Sequence, residues 1–165
     1  ALPLIDKYDN LVVVRTFSKS RSMAGLRIGY AISNPELIKA LNDVKYSYNS
    51  YTMNRPSLVL GVESIHDDAY FREKVGQIIA TRERFVKEIA ELGFTCLPSS
   101  ANFVFATHES IPAKEIFAAA KENNIYVRYF DKPRIDNYLR ISIGTDAEMD
   151  AFVAFLKGYV ETKQN

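Results

Sequence analysis

The chain has one cysteine, no tryptophan and no long apolar run. Because Cys96 is alone, it cannot form an internal disulfide, which favours a reducing, cytoplasmic setting. A membrane-spanning helix needs about 20 consecutive apolar residues, and no segment approaches that length. A net charge of +1 gives no electrostatic footprint for nucleic acid or for a membrane surface. We therefore expect small-molecule partners, with no nucleic acid and no membrane.

The chain has the composition of a globular domain. Its 165 residues are 47% hydrophobic and 25% charged, which is typical of a protein with a buried core. The sequence begins with Ala1 rather than Met and leads within a few residues into an apolar segment. This beginning predicts a piece of a larger protein.

The hydrophobic pattern changes near residue 55. Before it, residues 11–14 are a β-branched run typical of a strand covered on both faces, and residues 26–32 predict a second strand. Asn34 and Pro35 predict the start of a helix, and residues 45–56 predict a tyrosine-rich loop. We interpret residues 1–55 as part of a larger α/β domain.

After that point the pattern predicts a smaller α+β domain, residues 56–165, that includes a long connecting helix. The long helix begins at Asp67 and Asp68 and ends at Gly93. Thr145 and Glu148 form a capping-box pattern for the last helix. The predicted elements are helices over 56–65, 67–93, 112–123 and 146–160, and strands over 94–97, 102–106, 125–129 and 138–143.

Lys19 is the residue with the most distinctive chemistry. A lysine amine can form a Schiff base with an aldehyde, and hydroxyl groups together with an arginine can hold a phosphate. Thr16 lies three positions before Lys19, Ser18 lies directly before it, and Arg27 lies eight positions after it. Pyridoxal 5'-phosphate carries both an aldehyde and a phosphate. The alternative, a basic surface loop in which Lys19 and Arg21 are solvated charges, is left open by spacing alone.

The motif around Lys19 resembles a known family. Thr-Phe-Ser-Lys-Ser at 16–20, followed by Met-Ala-Gly-Leu-Arg-Ile-Gly-Tyr at 23–30, resembles the cofactor-lysine segment of fold-type I aminotransferases, closest to the histidinol-phosphate aminotransferase branch. The resemblance implies an enzyme in which Lys19 binds pyridoxal phosphate and moves a proton between substrate and cofactor. It implies that Thr16, Ser18 and Arg27 hold the cofactor phosphate.

Later segments resemble the same family. Asn102 and Phe103 are similar to its Asn-Phe segment near the substrate, and segments 125–128 and 138–145 are similar to its two arginine-bearing strands. The resemblance implies that Arg140 and Arg128 bind acidic groups of the substrate, and that Tyr51 lies near the site. Because Arg140 lies between leucine and isoleucine in a predicted strand, we expect an inward arginine that needs an anion.

The resemblance also implies properties of the whole protein. Family members are homodimers that transfer an amino group between an amino donor and a 2-oxo acid, here histidinol phosphate with 2-oxoglutarate and glutamate. They extend further at the N-terminus, where they carry an aspartate for the pyridine nitrogen and an aromatic ring that stacks on the cofactor. We therefore expect this chain alone to have little or no activity. An aromatic aminotransferase, a threonine-phosphate decarboxylase and the sensing domain of a transcription regulator remain alternatives.

Metal chemistry has little support in the sequence. His66 and His108 stand apart from each other, without further ligands at metal-binding spacing, so no metal is expected. Cys96 is interpreted as a core thiol rather than a nucleophile.

Overall fold

A computed structural model describes residues 1–164. It is a mixed helix and strand structure that divides into two compact units, residues 1–73 and the residues from 74 onward. In the described residues, no helix is both long and apolar enough to span a membrane.

The first unit contains a two-stranded antiparallel sheet followed by helices. Strand β1 (Val13–Thr16) pairs with β2 (Gly29–Ile32), with Val13 opposite Ile32 and Thr16 opposite Gly29. The unit then continues into helices α1 (Pro35–Tyr48), α2 (Arg55–His66) and the first turns of α3 (Asp68–Ala90). Short 3-10 turns occupy Leu2–Leu4 and Ala24–Leu26.

The strand predicted over residues 11–14 is present, but it begins two residues later than predicted. Among the described residues its only neighbouring strand is β2, and Val14 is 68% exposed. Within this chain the strand is therefore not covered on both faces. Because residues 1–55 are interpreted as part of a larger domain, coverage of both faces stays a prediction for that domain.

The starts of the first two helices follow from local capping chemistry. The Asn34 side chain accepts a hydrogen bond from the backbone N–H of Leu37 at 2.9 Å, and Asn54 accepts one from Ser57 at 2.9 Å. The predicted loop at 45–56 is partly wrong, because α1 continues to Tyr48. Only residues 49–54 connect the two helices.

The second unit is a four-stranded antiparallel sheet with helices. Its strands are β3 (Phe94–Cys96), β4 (Phe103–His108), β5 (Arg128–Tyr129) and β6 (Leu139–Ser142), in the spatial order β3-β4-β6-β5. Helices α4 (Ala113–Glu122) and α5 (Asp146–Gln164) join the rest of α3 in this unit. The strand predicted over 125–129 pairs only through its last two residues.

One face of this sheet carries the core. Leu139 and Ile141 of β6 are buried, whereas Arg140 and Ser142 alternate with them and are exposed. The buried cluster takes Phe85 and Ile89 from α3 and further residues from the sheet, α4 and α5. The opposite face of β6 is thus left free to carry polar groups.

The capping box predicted for the last helix is confirmed. The backbone N–H of Thr145 donates to the carboxylate of Glu148 at 2.7 Å, and the Thr145 hydroxyl accepts from the Glu148 backbone N–H at 3.4 Å. The carboxylate of Glu148 also accepts from the Thr145 hydroxyl at 2.9 Å, and its bonds from the Thr145 N–H first and from the hydroxyl second hold the pKa of Glu148 below its usual value. They orient α5 directly after β6.

Candidate functional site

The cofactor candidates lie at one end of the β1-β2 hairpin. The chain leaves β1 after Thr16 and returns to β2 at Gly29, and the backbone N–H of Phe17 donates to the carbonyl of Ile28 at 3.1 Å. The Phe17 carbonyl accepts hydrogen bonds from Arg21 and Met23. The connection between the strands is therefore a closed, hydrogen-bonded loop.

Lys19 is exposed on a tight turn of this loop. The backbone N–H of Ser18 donates to the Thr16 hydroxyl at 2.8 Å, and the carbonyl of Lys19 accepts from Ser22 at 3.1 Å. In the described residues the hydroxyl of Ser18 makes no hydrogen bond, so it is available as a donor. Lys19 itself is exposed in this unit.

Arg27 occupies the return half of the same loop in a left-handed conformation. Its φ is 58°, which is uncommon for a residue with a side chain, and one guanidinium nitrogen donates to the carbonyl of Ala24 at 2.9 Å. A guanidinium has five N–H donors, so most remain free for an anion. Gly29 follows where an added Cβ would lie 3.3 Å from the carbonyl oxygen of Arg15.

Arg21, predicted to be a solvated charge, instead anchors the loop between β1 and β2. Its side chain is only 17% exposed, and its guanidinium stacks 3.9 Å from the ring centroid of Phe71. It also donates to the carbonyl of Ser64 and lies 3.9 Å from an oxygen of Asp68. No local signal reveals this role, because all three partners are more than 40 positions away.

Helix α2 packs against the loop on either side of Arg27. Ser57 is 1% exposed, and its hydroxyl donates to the carbonyl of Leu26 at 3.1 Å. A Cβ added to Gly61 would lie 2.9 Å from the terminal methyl of Ile28. Close packing on both sides of Arg27 thus fixes the backbone that presents it.

The two candidate substrate arginines are direct neighbours in the second unit. Arg128 of β5 and Arg140 of β6 are register partners across an antiparallel pair. Directly opposite residues on one face have Cβ atoms about 4.5–5.5 Å apart, and like charges there repel. In the described part of the chain, neither guanidinium has a carboxylate within 4 Å or a side-chain hydrogen bond.

The expectation that Arg140 points inward is not met in the described residues. Arg128 and Arg140 are both exposed, and Arg140 lies on the face opposite Leu139 and Ile141. The period-2 alternation of β6 explains this, because its apolar neighbours take the core face. Two cations without a carboxylate partner in the described residues therefore lie side by side on an exposed face.

Asn102 and Tyr51 are placed differently. The backbone carbonyl of Asn102 accepts from the Ile143 N–H at 2.9 Å next to the β4-β6 pair, while its side-chain amide has no partner in the described residues. Tyr51 is 92% exposed in the other unit, and only its backbone N–H is bonded, to Asn49. The roles of both side chains stay predictions.

In the described residues, Cys96 is partly buried, His108 is buried against backbone groups and His66 is exposed. Burial raises the pKa of the Cys96 thiol to about 11, which opposes formation of the reactive thiolate. His108 is buried and bonded to backbone groups on both ring nitrogens, and His66 lies near Glu63. Among the described residues, no group of three possible metal ligands comes together.

Comparison with known proteins gives the class. Residues 1–156 match the family described as Aminotransferase class I and II, so this chain belongs to that family. A curated histidinol-phosphate aminotransferase of Brachyspira hyodysenteriae is 50% identical over 157 residues, which cover 95% of this chain and 44% of the relative. One from Lactococcus lactis is 48% identical over 163 residues, covering 99% and 45%.

Solved structures agree with this class. The histidinol-phosphate aminotransferase of Sinorhizobium meliloti in complex with pyridoxal-5'-phosphate has a TM-score of 0.81 and 27% identity, and the match covers 96% of this chain and 44% of that chain. The chain thus spans under half the length of the curated relatives described above. The resemblance to fold-type I aminotransferases drawn from the sequence is confirmed.

Proposed function

We propose that this chain carries the cofactor lysine and the substrate arginines of a pyridoxal-phosphate-dependent aminotransferase. Its substrate is histidinol phosphate, with 2-oxoglutarate and glutamate as the other amino couple, in histidine biosynthesis. The observation that carries the proposal is the single loop that holds Ser18, Lys19 and Arg27 together at one end of the hairpin. The identity near 50% to histidinol-phosphate aminotransferases supports the choice of substrate.

The residues of the loop fit pyridoxal phosphate. An exposed amine can reach the aldehyde, the free Ser18 hydroxyl and the Thr16 hydroxyl can donate to phosphate oxygens, and Arg27 supplies a cation with free N–H groups. The backbone hydrogen bonds of Phe17 hold the loop that carries these side chains in one conformation. Such preorganisation suits a phosphate anchor, because the donors need not be ordered again when it binds.

Each residue then has a defined task. When bound, pyridoxal phosphate supplies an electron sink that lets the Cα–H bond of the amino substrate break. Lys19 would hold the cofactor through its amine, and with substrate bound its Nζ would accept the proton from the substrate Cα and pass it to the cofactor. Thr16, Ser18 and Arg27 would hold the cofactor phosphate.

Arg128 and Arg140 fit a substrate that carries a strong anion. A doubly charged phosphate relieves the repulsion between two adjacent guanidinium groups, and a carboxylate does so in part. Asn102, whose amide is free in the described residues, is proposed to bind the same substrate. Tyr51 is proposed to contact the cofactor or substrate through its exposed ring.

We infer that the active protein is larger than this chain. The coverage of 44% of a relative supports a longer active protein. Residues 1–55 are proposed to belong to a large cofactor domain and residues 56–165 to a small α+β C-terminal domain, a boundary that differs from the division of the structure after residue 73. The active protein is proposed to be a cytoplasmic homodimer, and this chain alone to have little or no turnover.

Borohydride trapping tests the cofactor assignment on this chain. Incubation with pyridoxal phosphate, reduction and peptide mapping should label Lys19 in preference to exposed surface lysines such as Lys39. Pyridoxal without its phosphate is the matched control, and both it and Arg27→Gln should lower Lys19 labelling towards the level of Lys39. Equal labelling of both lysines by pyridoxal phosphate would overturn the assignment.

The substrate proposal needs the family-length protein. Its steady-state kcat/KM should be higher for histidinol phosphate than for phenylalanine, and threonine phosphate should not be decarboxylated. A preference for phenylalanine would favour an aromatic aminotransferase, and release of carbon dioxide from threonine phosphate would favour a decarboxylase.

A further inference from the structure

Two aromatic rings lie beside the adjacent arginines of the second unit. The guanidinium carbon of Arg140 is 5.6 Å from the ring centroid of Phe103, and that of Arg128 is 5.3 Å from the centroid of Phe130. Both distances are within the roughly 6 Å at which a ring face attracts a cation. Each arginine therefore has a ring partner where the described residues give it no carboxylate partner.

The ring positions follow from strand register. Phe103 of β4 is opposite Ser142 of β6, so Arg140 is its diagonal neighbour on the same face. Diagonal neighbours are about 7–8 Å apart at the backbone, which long side chains can bridge. Phe130 follows Arg128 by two residues, which keeps both on one side of an extended chain.

A third ring fixes this arrangement. Phe105 is directly opposite Arg140 in the register and stacks on Tyr138, with centroids 4.6 Å apart and planes 11° apart. Phe105 also contacts Phe130 edge to face, with ring centroids 6.3 Å apart and an angle of 66° between the ring planes. The ring beside Arg128 is thus held by its own neighbours as well as by the backbone.

A ring partner has a consequence that a carboxylate partner would not have. A carboxylate would occupy the N–H donors of the guanidinium and neutralise its charge, and so would compete with any anionic ligand. A ring face leaves the donor edge and the charge of the guanidinium available. Two rings can therefore hold two like charges in place while both remain able to bind an anion.

We propose that Phe103 and Phe130 are positioning residues that hold Arg140 and Arg128 ready for the substrate anion. The proposal rests on the proposed function, because it takes the arginines as the anion site. It adds that the aromatic partner of each arginine, rather than an acidic residue, determines how well that site is formed before ligand arrives.

Titration with inorganic phosphate tests the proposal on this chain at constant ionic strength. The arginine Nε–H signals of Arg128 and Arg140 in ¹⁵N-resolved NMR report binding at each residue. Phe103→Leu should weaken the phosphate response of Arg140 by about two- to fivefold, the effect of losing one exposed cation–π contact. Phe103→Tyr keeps a ring at this position, so the phosphate response of Arg140 should match that of the unchanged chain.

Matched variants separate positioning from general structural damage. Phe130→Leu should weaken the phosphate response of Arg128 in the same way, and Phe130→Tyr should respond as the unchanged chain does. Phe155→Leu removes a ring that stacks on Phe152 and Tyr159 in α5, and it should leave both arginine responses unchanged. Equal weakening by Phe155→Leu and Phe103→Leu would overturn the positioning role.

The proposed function and the positioning role can fail separately. If Arg140→Gln leaves phosphate binding intact, the arginines are not the anion site and the proposed function loses its substrate-binding residues. If Arg140→Gln abolishes binding while both leucine variants bind as the unchanged chain does, only the positioning role is wrong.

Discussion

The hydroxyl of Ser57 donates a hydrogen bond to the backbone carbonyl of Leu26 across a contact of 3.1 Å. This bond joins the first turn of α2 to the residue just before Arg27. Because Arg27 has a left-handed backbone, its conformation depends on the loop being held from outside. A buried serine far along the chain thus supports the proposed phosphate cation.

Ser57→Ala should destabilise the first unit. The substitution leaves the partly buried Leu26 carbonyl without its side-chain donor, which costs about 0.5–1.5 kcal/mol. Urea denaturation with a probe in the first unit measures the change. Ser47→Ala is the control, because the exposed Ser47 hydroxyl bonds only within its own helix. A Ser57→Ala chain as stable as the control would contradict this account.

His108 should carry its proton on Nε2. The backbone N–H groups of Ser110 and Ile111 both approach Nδ1 at 3.1 Å, and an N–H can only donate, so Nδ1 must accept. Nε2 then donates to the carbonyl of Leu92 at 2.9 Å. Long-range ¹H–¹⁵N NMR spectra distinguish the two tautomers directly, and a proton on Nδ1 near neutral pH would refute the assignment.

His108→Phe should therefore destabilise the second unit. It keeps a ring of similar shape but leaves the buried N–H of Ile111 and the partly buried N–H of Ser110 without their acceptor, and the buried group alone costs about 1–3 kcal/mol. His66→Gln, at an exposed site, should change the free energy of unfolding by less than about 0.5 kcal/mol.

Asp146 should make stability depend on acid pH. Its pKa is held below the usual 3.8 by the hydrogen bond from Thr81 first and by Arg84 second. A carboxyl whose pKa is lower in the folded state stabilises the fold above its unfolded-state pKa, and this contribution is lost as pH falls through the folded-state value. At neutral pH the Asp146→Asn chain should therefore have a lower free energy of unfolding than the unchanged chain. This difference should become smaller as pH falls below about 4.

Chemical denaturation at a series of pH values measures this effect. The control is Asp136→Asn, because Asp136 has no ion pair or hydrogen bond in the described residues. Its stability difference from the unchanged chain should stay constant over the same pH range. A constant deficit for Asp146→Asn would contradict the role of the Thr81 and Arg84 contacts.

Cys96 should react slowly with alkylating reagents in the folded chain. Burial raises its thiol pKa to about 11 from a usual value of 9.0, so only a small fraction is thiolate near neutral pH. The iodoacetamide rate should rise with pH up to about 11 in the folded chain and level off near 9 in denaturant. Rapid labelling of the folded chain at pH 7 would show that the thiol is not desolvated.

Local chemistry explains which elements the sequence could predict. The caps at Asn34 and the pair Thr145 and Glu148 depend on residues three positions apart, and the structure confirms both. The Lys19 loop was recognisable because its chemistry lies within a dozen consecutive residues. Family membership followed from that loop and is confirmed.

Long-range partners explain what the sequence could not predict. Arg21 looked like a solvated charge because Ser64, Asp68 and Phe71 are distant in sequence. The exposed position of Arg140 follows from which residues of β6 face the core, and a flanking leucine and isoleucine do not decide that. The pairing of Arg128 with Arg140 needed the register of β5 against β6.

Arg27 also bears on how this protein can be improved. A non-glycine residue at a φ of 58° costs of order 1–3 kcal/mol, and glycine would remove that cost. Random mutagenesis selected only for heat resistance should therefore enrich Arg27→Gly, because stability and cofactor affinity favour different residues at this position. A screen for thermostable variants must keep a binding readout, or it will select the loss of the proposed phosphate anchor.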